Sequence, residues 1–141
     1  MEFNTNNEII RLCAQGMDME GQGNSEEASQ LFNQAWNKAT NDFEKFTAAH
    51  YVARHQKNIS EKLRWDETAL ELALKINDDS IKSAFPSLYL NVAKCYEDLN
   101  DADNAMKNYQ LALSFTNFLS NDEYGKMIKT GISRGIEGMT K

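Results

Sequence analysis

The 141-residue sequence has one proline, two cysteines and no long apolar run. Because Pro86 is the only proline, long stretches can be helical without interruption. Cys13 and Cys95 stand too far apart for a local metal or redox motif, and we expect both to be reduced core residues. A membrane span needs about 20 apolar residues, and no charged-then-apolar leader opens the chain. We therefore expect a cytoplasmic protein without a membrane partner.

Strand signals and catalytic motifs are equally scarce. Valine occurs only at Val52 and Val92, and apolar and polar residues do not alternate over any sustained stretch. The sequence has no phosphate loop, no dinucleotide-binding glycine pattern and no nucleophile elbow. His50 and His55 would lie about 140° apart around a helix, so they cannot share a metal ion. These absences predict a non-enzymatic chain with no catalytic residue, no cofactor and no metal.

Charge is unevenly distributed along the chain. The net charge of −6 argues against general nucleic-acid binding, which depends on many basic contacts to phosphate. Residues 1–41 and 65–123 carry about −4 and −7, whereas 42–64 and 124–141 carry about +2 and +3. The basic middle segment is compatible with an acidic partner segment.

Apolar residues recur at spacings of three and four along nearly the whole chain, as one buried helix face requires. The pattern predicts seven helices, at about 5–20, 24–39, 42–58, 61–77, 84–99, 102–117 and 121–137. Short connections make successive helices antiparallel neighbours. Candidate N-cap residues stand near the predicted helix starts, at Asn24, Asn41, Ser60, Asp101 and Ser120.

A small–aromatic–small set repeats in the second helix of each predicted pair. Ala28-Phe32-Ala35 recurs as Ala105-Tyr109-Ala112, and the weaker middle copy is Asp66-Leu70-Ala73. In the first helices, a small residue at Gly16, Ala53 and Ala93 lets the two helices of a pair pack closely. This pattern resembles the tetratricopeptide repeat (TPR), most clearly in residues 86–117, through Tyr89, Val92, Ala93, Tyr96, Ala105, Tyr109 and Ala112.

The resemblance implies an all-α, right-handed superhelical stack of about three antiparallel helix pairs. The pairs would span about 5–40, 42–77 and 84–117 of a single domain over 1–141, with a C-terminal capping helix at about 121–137. The sequence departs from the family because the closing proline is missing and the period exceeds 34 residues. In this family the first helices line a concave groove that holds a protein or peptide.

One polar row stands on the third predicted helix. His50, Arg54 and Lys57 follow i, i+4, i+7 spacing, and Arg54 can pair with a carboxylate through two hydrogen bonds. This row would bind an acidic or C-terminal segment of a partner; the alternative is a solvated face paired with Glu44 or Glu61. The predicted partner-binding groove also contains the matching residues of the first and fifth helices, Met17, Leu90, Asn91 and Lys94.

The sequence thus predicts a non-catalytic scaffold that binds a protein or peptide in its groove. Two alternatives stay open. The stack can self-associate through its ends or through the glycine-bearing last helix, so monomer and homodimer are both allowed. A role as an RNA-associated accessory protein would use the basic C-terminal segment, although we do not expect nucleic acid as a partner. That segment contains Lys126, Lys129, Arg134 and Lys141.

Overall fold

The computed structural model describes residues 6–140 of the chain. In this part of the chain there are seven α-helices, two short 3₁₀ helices and no strand, so the predicted all-α class is confirmed. Thr5, in the first predicted helix, and Lys141 lie outside the described residues. The helices are α1 (Glu8–Gly21), α2 (Ser25–Lys38), α3 (Asp42–Ala53), α4 (Ile59–Leu74), α5 (Phe85–Asp98), α6 (Ala102–Ser114) and α7 (Glu123–Met139), with 3₁₀ turns at Asp79–Ala84 and Thr116–Phe118.

The chain divides into two compact units, residues 1–76 and 77–141. Unit 1 contains α1 to α4, and unit 2 contains α5 to α7. The single domain expected over 1–141 stays a prediction.

In unit 1, α1 packs against α2 and α3 against α4, and the two pairs meet through α2 and α3 and through α1 and α3. Phe32, at the centre of the repeat signature, is completely buried, as are Ala28 and Ala35. A Cβ atom added at Gly16 would lie 2.3 Å from the Phe32 ring. The small residue at position 16 is therefore what allows α1 and α2 to approach each other.

In unit 2, α5 packs against α6, and α7 packs against both. Ala93 and Ala105 are both fully buried on this helix pair, as the repeat pattern requires. Two glycines of α7 face the pair: a Cβ at Gly135 would lie 2.1 Å from the Tyr109 ring, and one at Gly131 would lie 3.2 Å from Leu90. The seventh helix covers the α5–α6 pair, as the predicted capping helix should.

The turns within two helix pairs have the same form. Gly23 (φ 81°) and Asn100 (φ 62°) both adopt the left-handed conformation, which glycine and asparagine tolerate better than other residues. In each turn the next amide donates back to the end of the first helix, from Asn24 to Met19 and from Asp101 to Tyr96. These turns support the repeat read from the sequence.

The predicted helix caps are confirmed in two places. The side chain of Asn41 accepts a hydrogen bond from the amide of Glu44, and that of Asp101 accepts one from Asn104. Asn24 stands at the N-cap of α2 but makes no side-chain cap bond.

Two other cap predictions are wrong by two residues. Asn58 caps α4 in place of Ser60, and Asp122 caps α7 in place of Ser120. Both side chains accept from the amide three positions later, which places an amide or carboxylate oxygen at the positive end of the helix. Ser120 instead donates its hydroxyl to Asp122.

Candidate functional site

The predicted basic row on the third helix is not formed. Helix α3 ends at Ala53, so Arg54 is its C-cap and Lys57 lies in the connection to α4. The extended backbone at Asn58, which caps α4, requires this earlier end. Because His50, Arg54 and Lys57 do not share one continuous helix, the i, i+4, i+7 geometry inferred for them was wrong.

Arg54 is engaged inside unit 1. Its Nη1 donates to Oε1 of Glu20 at 3.0 Å, and its guanidinium lies 4.8 Å from the centre of the Tyr51 ring. Nε2 of His55 lies 2.8 Å from the other oxygen of Glu20. One carboxylate on α1 therefore holds the end of α3 in place.

The expected ion-pair partners of the basic row were wrong as well. Glu44 instead accepts hydrogen bonds from Thr40 and from the Asn7 side chain, which hold the pKa of its carboxyl below its usual value. Glu61 makes no ion pair with Arg54 in the described part of the chain, because Arg54 turns toward α1.

His50 is half-buried, in contrast to the exposed groove position expected for it. Burial, with smaller effects of the nearby Arg54 and Lys62 charges, lowers the pKa of its imidazole to about 4. Its ring lies against that of Tyr51, and within residues 6–140 its Nδ1 has no hydrogen-bond partner. A half-buried imidazole that is neutral near pH 7 is poorly suited to bind a carboxylate.

The other predicted groove residues differ in exposure. Met17 is 40% exposed on α1. On α5, Leu90 is buried and contacts the position of Gly131, so the close approach of α7 removes it from the surface. Asn91 is half-buried and Lys94 is exposed. Of the three α5 residues, Lys94 is the one whose side chain lies open to solvent.

Lys94 lines a cleft of about 720 Å³ within unit 2. Its walls are the polar face of α5, the ring of Tyr109 on α6 and one face of α7. The α7 face presents Met127 and Arg134 at spacings that place them on the same side of the helix. The cleft is open to solvent, and its volume lies in the range typical of ligand-binding pockets.

Most acidic groups of this cleft already have partners. The Tyr109 hydroxyl donates to Oε1 of Glu97 at 2.7 Å, and burial together with this carboxylate raises the pKa of the tyrosine well above its usual range. Glu123 lies 3.7 Å from Nζ of Lys126. By contrast, Lys94 and Arg134 form no ion pair with any residue between 6 and 140.

Sequence reasoning missed Met127, and it placed Arg134 with a basic segment for nucleic acid rather than in a cleft. Met127 is the most exposed large apolar residue in the described chain, at 61%. The sequence did contain part of the signal for this cleft, because helical spacing places four residues on one face of the last helix: Glu123, Met127, Thr130 and Arg134. What the sequence did not indicate is that the neighbouring glycines bring this face against α5 and α6.

No cluster of three His, Cys, Asp or Glu side chains in the described residues is arranged to hold a metal ion. Burial raises the pKa of the Cys13 thiol to about 12, which leaves it unreactive at neutral pH. None of the helices between residues 6 and 140 has both the length and the apolar character needed to cross a bilayer.

The comparisons with known proteins agree with this architecture. No protein-family model and no curated protein sequence matches the chain. Its structure is similar to the crystal structure of PcrH from Pseudomonas aeruginosa, with a TM-score of 0.68 and 15% sequence identity. The similarity covers 99% of this chain and 96% of PcrH. At this identity the likeness concerns the fold, and the chain has the TPR-like helical-repeat fold that its repeats predicted.

Proposed function

We propose that this chain is a non-catalytic scaffold that binds a protein or peptide, with the cleft of unit 2 as the principal contact. The observation that carries the proposal is this open cleft of about 720 Å³, which combines an exposed methionine with two cations that have no described partner. The similarity of the fold to that of PcrH, a TPR-like chaperone, supports a protein partner.

The chemistry of the cleft favours a segment with an apolar side chain next to an acidic group. Met127 is unbranched and adaptable, so it can pack against side chains of varied shape. Lys94 and Arg134 supply charge for a carboxylate, and the planar guanidinium can donate two parallel hydrogen bonds to it. An acidic or C-terminal partner segment therefore remains our expectation, now directed to unit 2.

The test uses the full chain carrying Lys94→Glu and Arg134→Glu. Partners retained by the tagged native chain are identified by mass spectrometry, and the strongest is then measured against the variants by calorimetry. We expect the double charge reversal to weaken binding at least about tenfold, because each cation is exchanged for a repelling acid.

Lys107→Glu is the matched control, since Lys107 is an exposed lysine of α6 outside the cleft. It makes one such charge reversal in the same unit, where the double variant makes two, and binding should be retained. Equal binding by the double variant and the native chain would contradict the assignment of the cleft. Arg54→Glu is a poorer test, because it would place two acids together at Glu20 and disturb the fold.

Of the two alternatives, self-association through the glycines of α7 loses its main support. Gly131 and Gly135 already face Leu90 and Tyr109 within unit 2, so they are not available to a second copy. For RNA binding, Lys126 is paired with Glu123 and Arg134 lies in the cleft. Lys141 lies outside the described residues. The oligomeric state and the cytoplasmic location stay predictions.

A further inference from the structure

The only two tryptophans of the chain meet on the surface of unit 1. Trp36 of α2 and Trp65 of α4 have ring centroids 5.0 Å apart and planes at 87°, so the two indoles form a right-angled corner. Both are half-buried and pack on one side against the hydrophobic core around Phe32. Their remaining surface faces a pocket.

This tryptophan pocket has a volume of about 420 Å³ and lies on the second helices of unit 1. The cations that stack on aromatic rings in the described chain are Arg54, on Tyr51, and Lys82, on Phe118, so neither indole is covered in this way. Neither indole N–H has a hydrogen-bond acceptor between residues 6 and 140. Buried or docked tryptophan normally satisfies this donor.

The rim of the tryptophan pocket is electrically balanced. Glu61 and Arg64 are both exposed and stand one turn apart on α4, so the charge of one offsets that of the other. The Gln56 carboxamide donates to the carbonyl of Val52, and the Thr68 hydroxyl donates to that of Arg64. The pocket thus offers a ligand two ring faces, hydrogen-bond donors from the indoles and the Arg64 guanidinium, and acceptors from the Glu61 carboxylate and the Gln56 carboxamide oxygen.

We propose that this pocket docks an uncharged, proline-containing extended segment of a partner protein. A polyproline II segment forms no internal hydrogen bonds, so its carbonyls are free to accept from the indole and guanidinium donors. Its proline rings fit an aromatic-lined groove and lose little conformational freedom on binding. A cationic side chain gains no net attraction at this rim, because Arg64 offsets the charge of Glu61. The pocket lies in unit 1 and is independent of the cleft in unit 2.

The tryptophan emission of the full chain reports on this pocket directly, because it contains both tryptophans. Titration with an oligoproline peptide should shift the emission to shorter wavelength and reach saturation as the indoles lose water. A glycine–serine peptide of equal length should cause no saturable shift. An oligoarginine peptide is the third arm, and we expect it to bind more weakly than oligoproline.

Variants then locate the binding, measured by the anisotropy of a labelled oligoproline peptide. Trp65→Ala should weaken binding about 30-fold, as expected for a tryptophan hot spot, and Arg64→Ala about fivefold, as expected for one lost donor. Arg11→Ala, which changes an exposed arginine of α1 outside the pocket, should leave binding unchanged. If circular dichroism shows that Trp65→Ala is unfolded, the proposal is tested with Arg64→Ala instead, because Arg64 is exposed and its loss should not disturb the fold.

Three outcomes would overturn the proposal. The first is the absence of any saturable emission change with oligoproline. The second is binding of oligoarginine at least as strong as that of oligoproline, which would make the pocket a cation site. The third is an equal loss of binding in Arg64→Ala and Arg11→Ala, which would place the peptide elsewhere.

Discussion

The α1–α2 pair of unit 1 and the α5–α6 pair of unit 2 are built alike and completed differently. Glu20 and Glu97 occupy the same place in the two copies of the repeat, as do Phe32 and Tyr109. In unit 1 the glutamate is bound by Arg54 and His55, which follow α3. In unit 2 it accepts a hydrogen bond from the Tyr109 hydroxyl, which phenylalanine lacks.

The helix that follows each pair makes the larger difference. The Phe32 ring meets the Tyr51 ring at 5.1 Å and the His55 ring at 5.6 Å. Tyr109 meets a glycine of α7 instead, at Gly135. Two aromatic rings thus fill the space beside the first pair, whereas an open cleft remains beside the second. The α1–α2 pair is thus part of a closed core in unit 1, whereas the equivalent α5–α6 pair forms one wall of the cleft in unit 2.

Removal of the central ring of unit 1 should have the largest effect on stability. Phe32→Ala leaves a cavity among α1, α2 and α3, and we expect the free energy of unfolding to fall by about 3–5 kcal/mol. Urea denaturation measures this loss. Leu113→Ala on α6 is the control, because Leu113 is 49% exposed and its loss should cost little. A cost below about 1 kcal/mol for Phe32→Ala would mean that the ring does not hold the helices together.

A methyl group at Gly135 should disturb the contact between α7 and Tyr109. The added Cβ would lie 2.1 Å from the ring, and overpacking of this kind costs about 1–3 kcal/mol. Gly138→Ala is the matched control in the same helix, because its Cβ would meet nothing within 4 Å. That variant should gain up to about 1 kcal/mol through higher helix propensity. Thermal unfolding of the two variants should therefore shift in opposite directions, and equal shifts would contradict the close packing.

Acid should weaken the closed core of unit 1 through His50. Burial lowers the pKa of its imidazole to about 4 in the folded chain, against an ordinary value near 6.5 in the unfolded one. Between these values the unfolded state binds the proton and the folded state does not, so stability is full above about pH 6.5 and falls as pH drops. The slope approaches about 1.4 kcal/mol per pH unit.

His50→Leu removes this proton while other groups continue to titrate. Denaturation of the native chain and of the variant, measured from pH 7 to pH 4, isolates the contribution of the imidazole. The difference in stability between the two proteins should change with pH. Parallel curves would show that the imidazole is accessible to water in the folded state.

The smallest expected effect concerns the hydroxyl that distinguishes the two pairs. Tyr109→Phe gives the second pair the phenylalanine that the first pair has at the equivalent position. It should lower the free energy of unfolding by about 1 kcal/mol, the net value of one hydrogen bond. Phe115→Leu would be a poor control, because Phe115 stacks on Tyr89. Tyr124→Phe is the control, because it removes a hydroxyl from an exposed tyrosine of the same unit. Calorimetric unfolding separates them, since Tyr124→Phe should be nearly neutral.

Much of the fold was readable from the sequence. Helical spacing predicted that the small residues and the aromatic rings of the repeat would be buried together. All four are buried, as expected: Gly16, Ala93, Phe32 and Tyr109. The end of α3 was predicted too late, because residues 54–58 are polar but contain no proline or glycine that would mark a helix end. What ends the helix there is a cap at Asn58 and a carboxylate on α1, a partner distant in sequence.

The candidate site was predicted less well for the same reason. Lys94 was correctly expected to be exposed on α5, but His50 is half-buried and Leu90 is covered by α7. Arg134 and Met127 join Lys94 only because two glycines allow α7 to approach. A glycine pattern in a sequence indicates that close packing is possible without naming the surface that is packed.

By itself, the sequence determined the number and approximate extent of the helices, the pairing of small and aromatic residues, and the helical-repeat class. These depend on local spacing, which hydrophobic burial selects one helix at a time. The tertiary structure alone decided which charges remain free and where a cleft stays open. Glu20 and Glu97 occupy the same position in the repeat. One receives its partners from the residues that follow α3 and the other from α6, because electrostatic pairing depends on neighbours brought together across the fold.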